Sequence, residues 1–300
     1  MRALLIGAVE STRIAADAIA GAADWELAGV ATLPPRLAHR HSDFVDLTGS
    51  AADAEVILVA DINSDEFLSR VRRLAPDTVF VIGWSQLCGP AFREAARGRV
   101  LGYHPAPLPR LRGRGVIPWT ILLDEKITAS TLFWIDEGMD SGPLIAQRFF
   151  HIAPDETAAS LYAKHMSALG GLLDETLPRL AAADCPGERQ DSRLATWGCR
   201  RRPGDGRIDW HRPADEVERL IRAVGRPYPG AFAGDDDRRV TIWAASFWSS
   251  GQCHHALPGQ VIARHDAGFA VCCGDGRAIQ VTEYDAAAGR QPALHSVLGS

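Results

Sequence analysis

Short apolar runs alternating with amphipathic stretches set the strongest limit on what this chain folds into. Residues 2–6 read as a buried-type strand, 7–11 as a turn, 12–22 as an Ala-rich helix and 25–31 as a second strand. Residues 55–59, 64–74 and 78–82 continue the series as strand, helix and strand, with Ser64 as the helix cap. A βαβ opening of this kind predicts a mostly parallel, Rossmann-like sheet. The first turn, Gly7-Ala8-Val9-Glu10-Ser11, lacks the G-x-G-x-x-G spacing that brings backbone against a pyrophosphate, which disfavours a nicotinamide dinucleotide.

The chemistry gathers in residues 99–142. An apolar run over 100–104 ends on His104, a Pro- and Arg-rich loop and a short helical segment follow, and a strand over 128–135 leads to an acidic glycine loop holding Asp140. A histidine and a carboxylate delivered by neighbouring strand ends make a general base. A strand over 144–150 and a helix over 156–180 complete this part of the chain.

The run HPAPLPRLRGRGVIPW resembles the signature of folate-dependent N-formyltransferases, N-x-H-x-S-x-L-P-x-x-R-G, followed by an Asp-x-Gly loop. His104, Leu108, Pro109, Arg112, Gly113, Asp140 and Gly142 stand where that pattern wants them, and Gly102 replaces its Asn. The resemblance implies 10-formyltetrahydrofolate as co-substrate and His104, Asp140 and position 102 as the catalytic set. An Asn at 102 would donate to the oxyanion, and losing such a donor costs about 10²–10³ in turnover. Ser85, Gln86 or a water is the expected substitute. The resemblance also implies that Trp84, Gln86, Leu87 and Cys88 border the cofactor, with Asp136 and Gly138 near the pterin amino groups. Read without it, 83–89 is the start of a helix with a core Trp, and the acids are solvated turn residues. Arg112 and Arg114 offer planar forks for a phosphate or carboxylate of the acceptor, or Arg112 braces its loop. The polar loop 33–50 offers Ser42 and Asp43 to the acceptor.

Beyond a polar, Arg-rich tract, a helix over 213–224 precedes strands over 240–247, 259–263, 269–273 and 278–284, which suggests a small OB- or barrel-like domain. Its D-W-x-x-P-A start and R-A-x-x-x-P-x-P-G-A-F continuation resemble the C-terminal domain of methionyl-tRNA and UDP-4-amino-4-deoxy-L-arabinose formyltransferases. The expected division is a catalytic domain over 1–187, a linker over 188–206 and a C-terminal domain over 207–300.

Charge narrows the acceptor. The formal net charge is -5, and residues 206–300 hold ten Arg and no Lys against eleven Asp and Glu, which is no field for tRNA. A small amine, an amino sugar or sugar nucleotide, suits it better. The alternatives are a formyltetrahydrofolate hydrolase, a catalytically altered folate-binding relative, or methionyl-tRNA formyltransferase. Six cysteines without C-x-x-C spacing argue against a zinc site and for reduced cytoplasmic thiols. No signal peptide or membrane span is expected. The resemblance leaves homodimer formation open.

Overall fold

The computed structural model describes residues 1–40, 43–48, 54–249, 254–266 and 268–299. The chain forms two compact units: Met1–Val116, Ile127–His151 and Tyr162–Cys199 make the first, and Ile117–Lys126, Ile152–Leu161 and Arg200–Ser300 the second. No described helix is long and apolar enough to cross a membrane.

The first unit is built on β1 (Arg2–Ile6), α1 (Glu10–Gly21), β2 (Glu26–Thr32), β3 (Glu55–Leu58), α2 (Asp65–Leu74), β4 (Thr78–Val81), α3 (Pro90–Ala95) and β5 (Val100–His104). It continues with the two-residue β6 (Arg112–Gly113), β7 (Ile127–Trp134), β8 (Leu144–His151) and, from Tyr162 on, α5 (Ala158–Ala181), whereas helix α4 (Val116–Leu122) is counted from Ile117 on with the second unit. A second two-residue strand, β9 (Trp197–Gly198), pairs in parallel with β6. The main sheet runs β3-β2-β1-β4-β5-β7-β8. Its first five strands are parallel, and β7 and β8 join antiparallel.

Both faces are buried, as an apolar run without alternation requires. On one face Leu5, Phe80, Leu101 and Leu132 pack with Ile19 of α1 and Leu169, Leu173 and Leu177 of α5. On the other, Leu4, Ile6, Val79 and Val100 pack with Phe67 and Val71 of α2 and Phe92 of α3. Ser64 caps α2 as the sequence predicts, its hydroxyl accepting from the Phe67 amide. The parallel strands turn their carboxyl ends to one edge, where ligands of open α/β sheets collect, and His104 is the last residue of β5.

The second unit contains α6 (Ala214–Val224) and strands β10 (Ala231–Ala233), β11 (Val240–Phe247), β12 (Val261–His265), β13 (Gly268–Cys272) and β14 (Ala278–Ala286). The strands form an antiparallel sheet in the order β10-β11-β14-β13-β12. Val217, Ile221 and Val224 of α6 are buried.

Candidate active site

His104 is 6% exposed. Its Nε2 lies 2.7 Å from the Leu111 carbonyl oxygen. A carbonyl only accepts, so that nitrogen carries the proton and Nδ1 is left to exchange one. Nδ1 faces Asp140 Oδ2 at 3.7 Å, beyond hydrogen-bond length. The same carboxylate oxygen accepts from the Gly113 amide at 2.8 Å.

The two side chains do not come from adjacent strand tips, as the sequence suggests. Because β7 runs antiparallel to β5, Ile135 bonds to Val100, at the far end of β5 from His104. Four residues of strand span about 13 Å, and the loop after β7 carries Asp140 back over that distance. Both groups that address His104 sit on left-handed backbone: Leu111 has φ +56 and Asp140 φ +50. An Asp tolerates that region better than a bulky Leu.

A side chain at position 102 needs its cross-strand neighbours to shift. Gly102 pairs with Phe133, and a Cβ there would lie 2.9 Å from the Phe133 ring and 3.0 Å from Ile135 Cγ1. Gln86 is anchored by its Oε1, which accepts from the Ile62 amide at 3.0 Å and Trp84 Nε1 at 3.3 Å, and by one Nε2 hydrogen, which donates to Ala60 O at 2.9 Å.

Two family models match this chain, Formyl transferase over residues 38–175 and Formyl transferase, C-terminal domain, over 201–298. The chain belongs to the formyl transferase family. Solved structures share the fold. HypX from Aquifex aeolicus, solved with tetrahydrofolic acid, is 20% identical with a TM-score of 0.67, over 95% of this chain and 44% of its own. This chain thus spans less than half the length of HypX. The N-formyltransferase from Helicobacter canadensis, solved with folinic acid and dTDP-3-aminofucose, is 16% identical with a TM-score of 0.66, over 94% of this chain and 99% of its own. Phosphoribosylglycinamide formyltransferase from Bacillus halodurans is 25% identical with a TM-score of 0.51, over 60% and 95%.

Within this formyl transferase the remaining expected site residues have mixed placements. Trp84 is half-buried against the α2–α3 face of the core, and Leu87 is 64% exposed. Cys88 points into that core, where burial pushes its thiol up to about 12. Asp136 Oδ1 accepts from the Gly138 amide at 3.0 Å and the Ser141 hydroxyl at 2.7 Å, so this acid and Gly138 build their own turn. Arg112 is buried and its guanidinium grips Gln190 Oε1 through Nε at 3.1 Å and Nη2 at 2.7 Å, which braces its loop. Arg114 is exposed. Asp43 accepts from the Tyr162 hydroxyl at 2.9 Å, and Ser42 lies outside the described residues. The sequence reading missed Leu111, Gln190 and Thr196. Leu111 acts through its carbonyl, which no motif of side chains displays, and the other two stand in a tract whose polarity reads as linker.

Proposed function

We propose that this formyl transferase moves a formyl group from 10-formyltetrahydrofolate to the amine of a small acceptor, an amino sugar or sugar nucleotide, in the cytoplasm, which keeps thiols such as exposed Cys199 reduced. The observation that carries it is the buried His104 with Nε2–H fixed on Leu111 and Nδ1 turned to Asp140. The folate supplies the formyl carbon and a nitrogen leaving group. Exposed Leu87 and half-buried Trp84, after the carboxyl end of β4, offer an apolar wall to its ring.

The incoming amine forms the new C–N bond and becomes an ammonium. Nδ1 of His104 takes that proton, and the Asp140 carboxylate stabilises the imidazolium. The imidazolium returns the proton to the folate nitrogen as its bond to the formyl carbon breaks, so the products are a formamide and tetrahydrofolate. Positioned acid–base groups contribute about 10²–10⁴ in rate each. The small acceptor accords with a chain that carries no net positive field.

The test is a panel of amines and amino-sugar nucleotides incubated with 10-formyltetrahydrofolate, reading tetrahydrofolate release and formamide by mass spectrometry. Release that depends on one acceptor class, and falls at least about a hundredfold in His104→Ala, is expected. Release without acceptor assigns a hydrolase instead, and formylation of charged initiator tRNA assigns the tRNA enzyme. Folate binding with no turnover overturns the reading.

A further inference from the structure

The polar tract between the two family matches does more than connect them. We propose that residues 190–198 form a positioning strap for the active site, in which Gln190 and Thr196 set the separation of His104 and Asp140. This rests on the acid–base roles given to those two residues above.

Gln190 is a four-way tie. Its Oε1 accepts both N–H groups offered by Arg112, and its Nε2 donates to the backbone carbonyls of Asp140 at 2.9 Å and Gly142 at 2.7 Å. One planar amide therefore joins the loop after β5 to the loop after β7. The amide has both hydrogens and both lone-pair directions engaged, so it has nothing left to offer a reactant. It positions and does not react.

Thr196 works on the other partner of His104. Its Oγ1 accepts from the Leu111 amide at 2.9 Å and its carbonyl from the Arg112 amide at 2.8 Å. Gly198 O then accepts from Arg114 N at 2.8 Å. Thr196 thus holds the N–H groups of two successive peptides, those of Leu111 and Arg112, which aims the Leu111 carbonyl between them at His104 Nε2.

Two observations show why the strap is needed. His104 and Asp140 make no hydrogen bond of their own at 3.7 Å, so their spacing is imposed from outside. Leu111 and Asp140, which supply the carbonyl and the carboxylate, both lie at positive φ. Such backbone persists only where its surroundings over-determine it, and the strap's bonds fall on these two residues. Gly113 completes the fit: at φ +100, a Cβ there would meet Gly198 O at 2.6 Å.

Substitutions in the strap separate positioning from folding, because Thr196 is exposed and carries no core packing. Thr196→Val removes the hydroxyl acceptor with little change of shape, and Thr196→Ser restores it. Gln190→Glu keeps the acceptor for Arg112 and loses the donor to Asp140 and Gly142. With the acceptor that the wild type uses, Thr196→Val and Gln190→Glu are expected to lower kcat about 10- to 100-fold, the scale of a misplacement near 1 Å. Both KM values are expected to stay within about threefold, with Thr196→Ser close to wild type. Unchanged kcat in both variants, or a loss carried by KM, overturns the strap. So does a Ser variant as slow as the Val variant. If Thr196→Val fails to give a cooperative melt, Gln190→Glu decides alone. A wild type that formylates no amine sinks the proposed function, whereas an active wild type with fully active variants sinks only the strap.

Discussion

At the scale of single residues, Gly102 is the departure with the largest chemical consequence. A one-residue reading treats the missing Asn as an empty place that an amide fills. Cross-strand register adds a constraint, because Phe133 and Ile135 lie beside it and must shift for any side chain there. Gly102→Asn alone is therefore expected to cost about 1–3 kcal/mol by overpacking and to slow transfer. Combined with Phe133→Ala, which vacates a buried ring, it is expected to recover turnover above that of the single variant. Thermal melts and initial rates on the three proteins check this, and a single Asn variant that is both stable and faster than wild type refutes it. His104 and Asp140 were legible because their spacing is a pattern in one dimension. The filling of the Gly102 site was not, because Phe133 reaches it only through the pairing of β5 with β7.

Elements were legible where periodicity runs long enough to register. The sequence predicts β5 over 100–104 and β11 over 240–247, and both are observed with those limits. The helix expected from 156 begins instead at Ala158, because the Glu156 carboxylate accepts from the Ala153 amide at 2.9 Å and from the Ser160 hydroxyl, holding the turn ahead of it. The ribbon of β6 and β9 escaped detection for a different reason: two residues carry no period. Its polar sequence then reads as linker although its backbone bonds the loop that carries Arg112 and Arg114.

Placement within elements also sets thiol reactivity. Cys88 precedes α3 and Cys273 follows β13, and burial, the largest cause for each, pushes both thiols up to about 12. Cys199, just past β9, is exposed. Because the thiolate is the nucleophile, iodoacetamide at pH 8 is expected to modify Cys199 while Cys88 and Cys273 stay largely unlabelled in the folded protein. Peptide mass spectrometry over a time course reads the order, and early labelling of Cys88 contradicts its burial.

For the whole molecule, charge decides which partners gain from long-range attraction. The formal net charge is -5, and in the second unit several arginines that could contribute to a basic stripe are turned on neighbouring acids. Arg207 pairs with Asp235, Arg212 with Glu216, Arg222 with Glu218 and Arg226 with Glu283. Arg277 bonds Asp215 and holds that carboxyl below the usual carboxylate range. The exposed pairs among these add little stability, but they reduce the field that phosphates would follow. Neutralising phosphates releases counterions, so an RNA reader shows affinity that falls steeply with salt. This protein is expected to bind a fluorescent tRNA-sized RNA no more tightly than nonspecific contacts allow, with a dissociation constant above about 10⁻⁶ M at physiological salt. Fluorescence anisotropy across a salt series measures it. Submicromolar binding with a steep salt slope means that the arginines leave their acids for phosphate, and the acceptor is then to be sought among charged tRNAs rather than small amines.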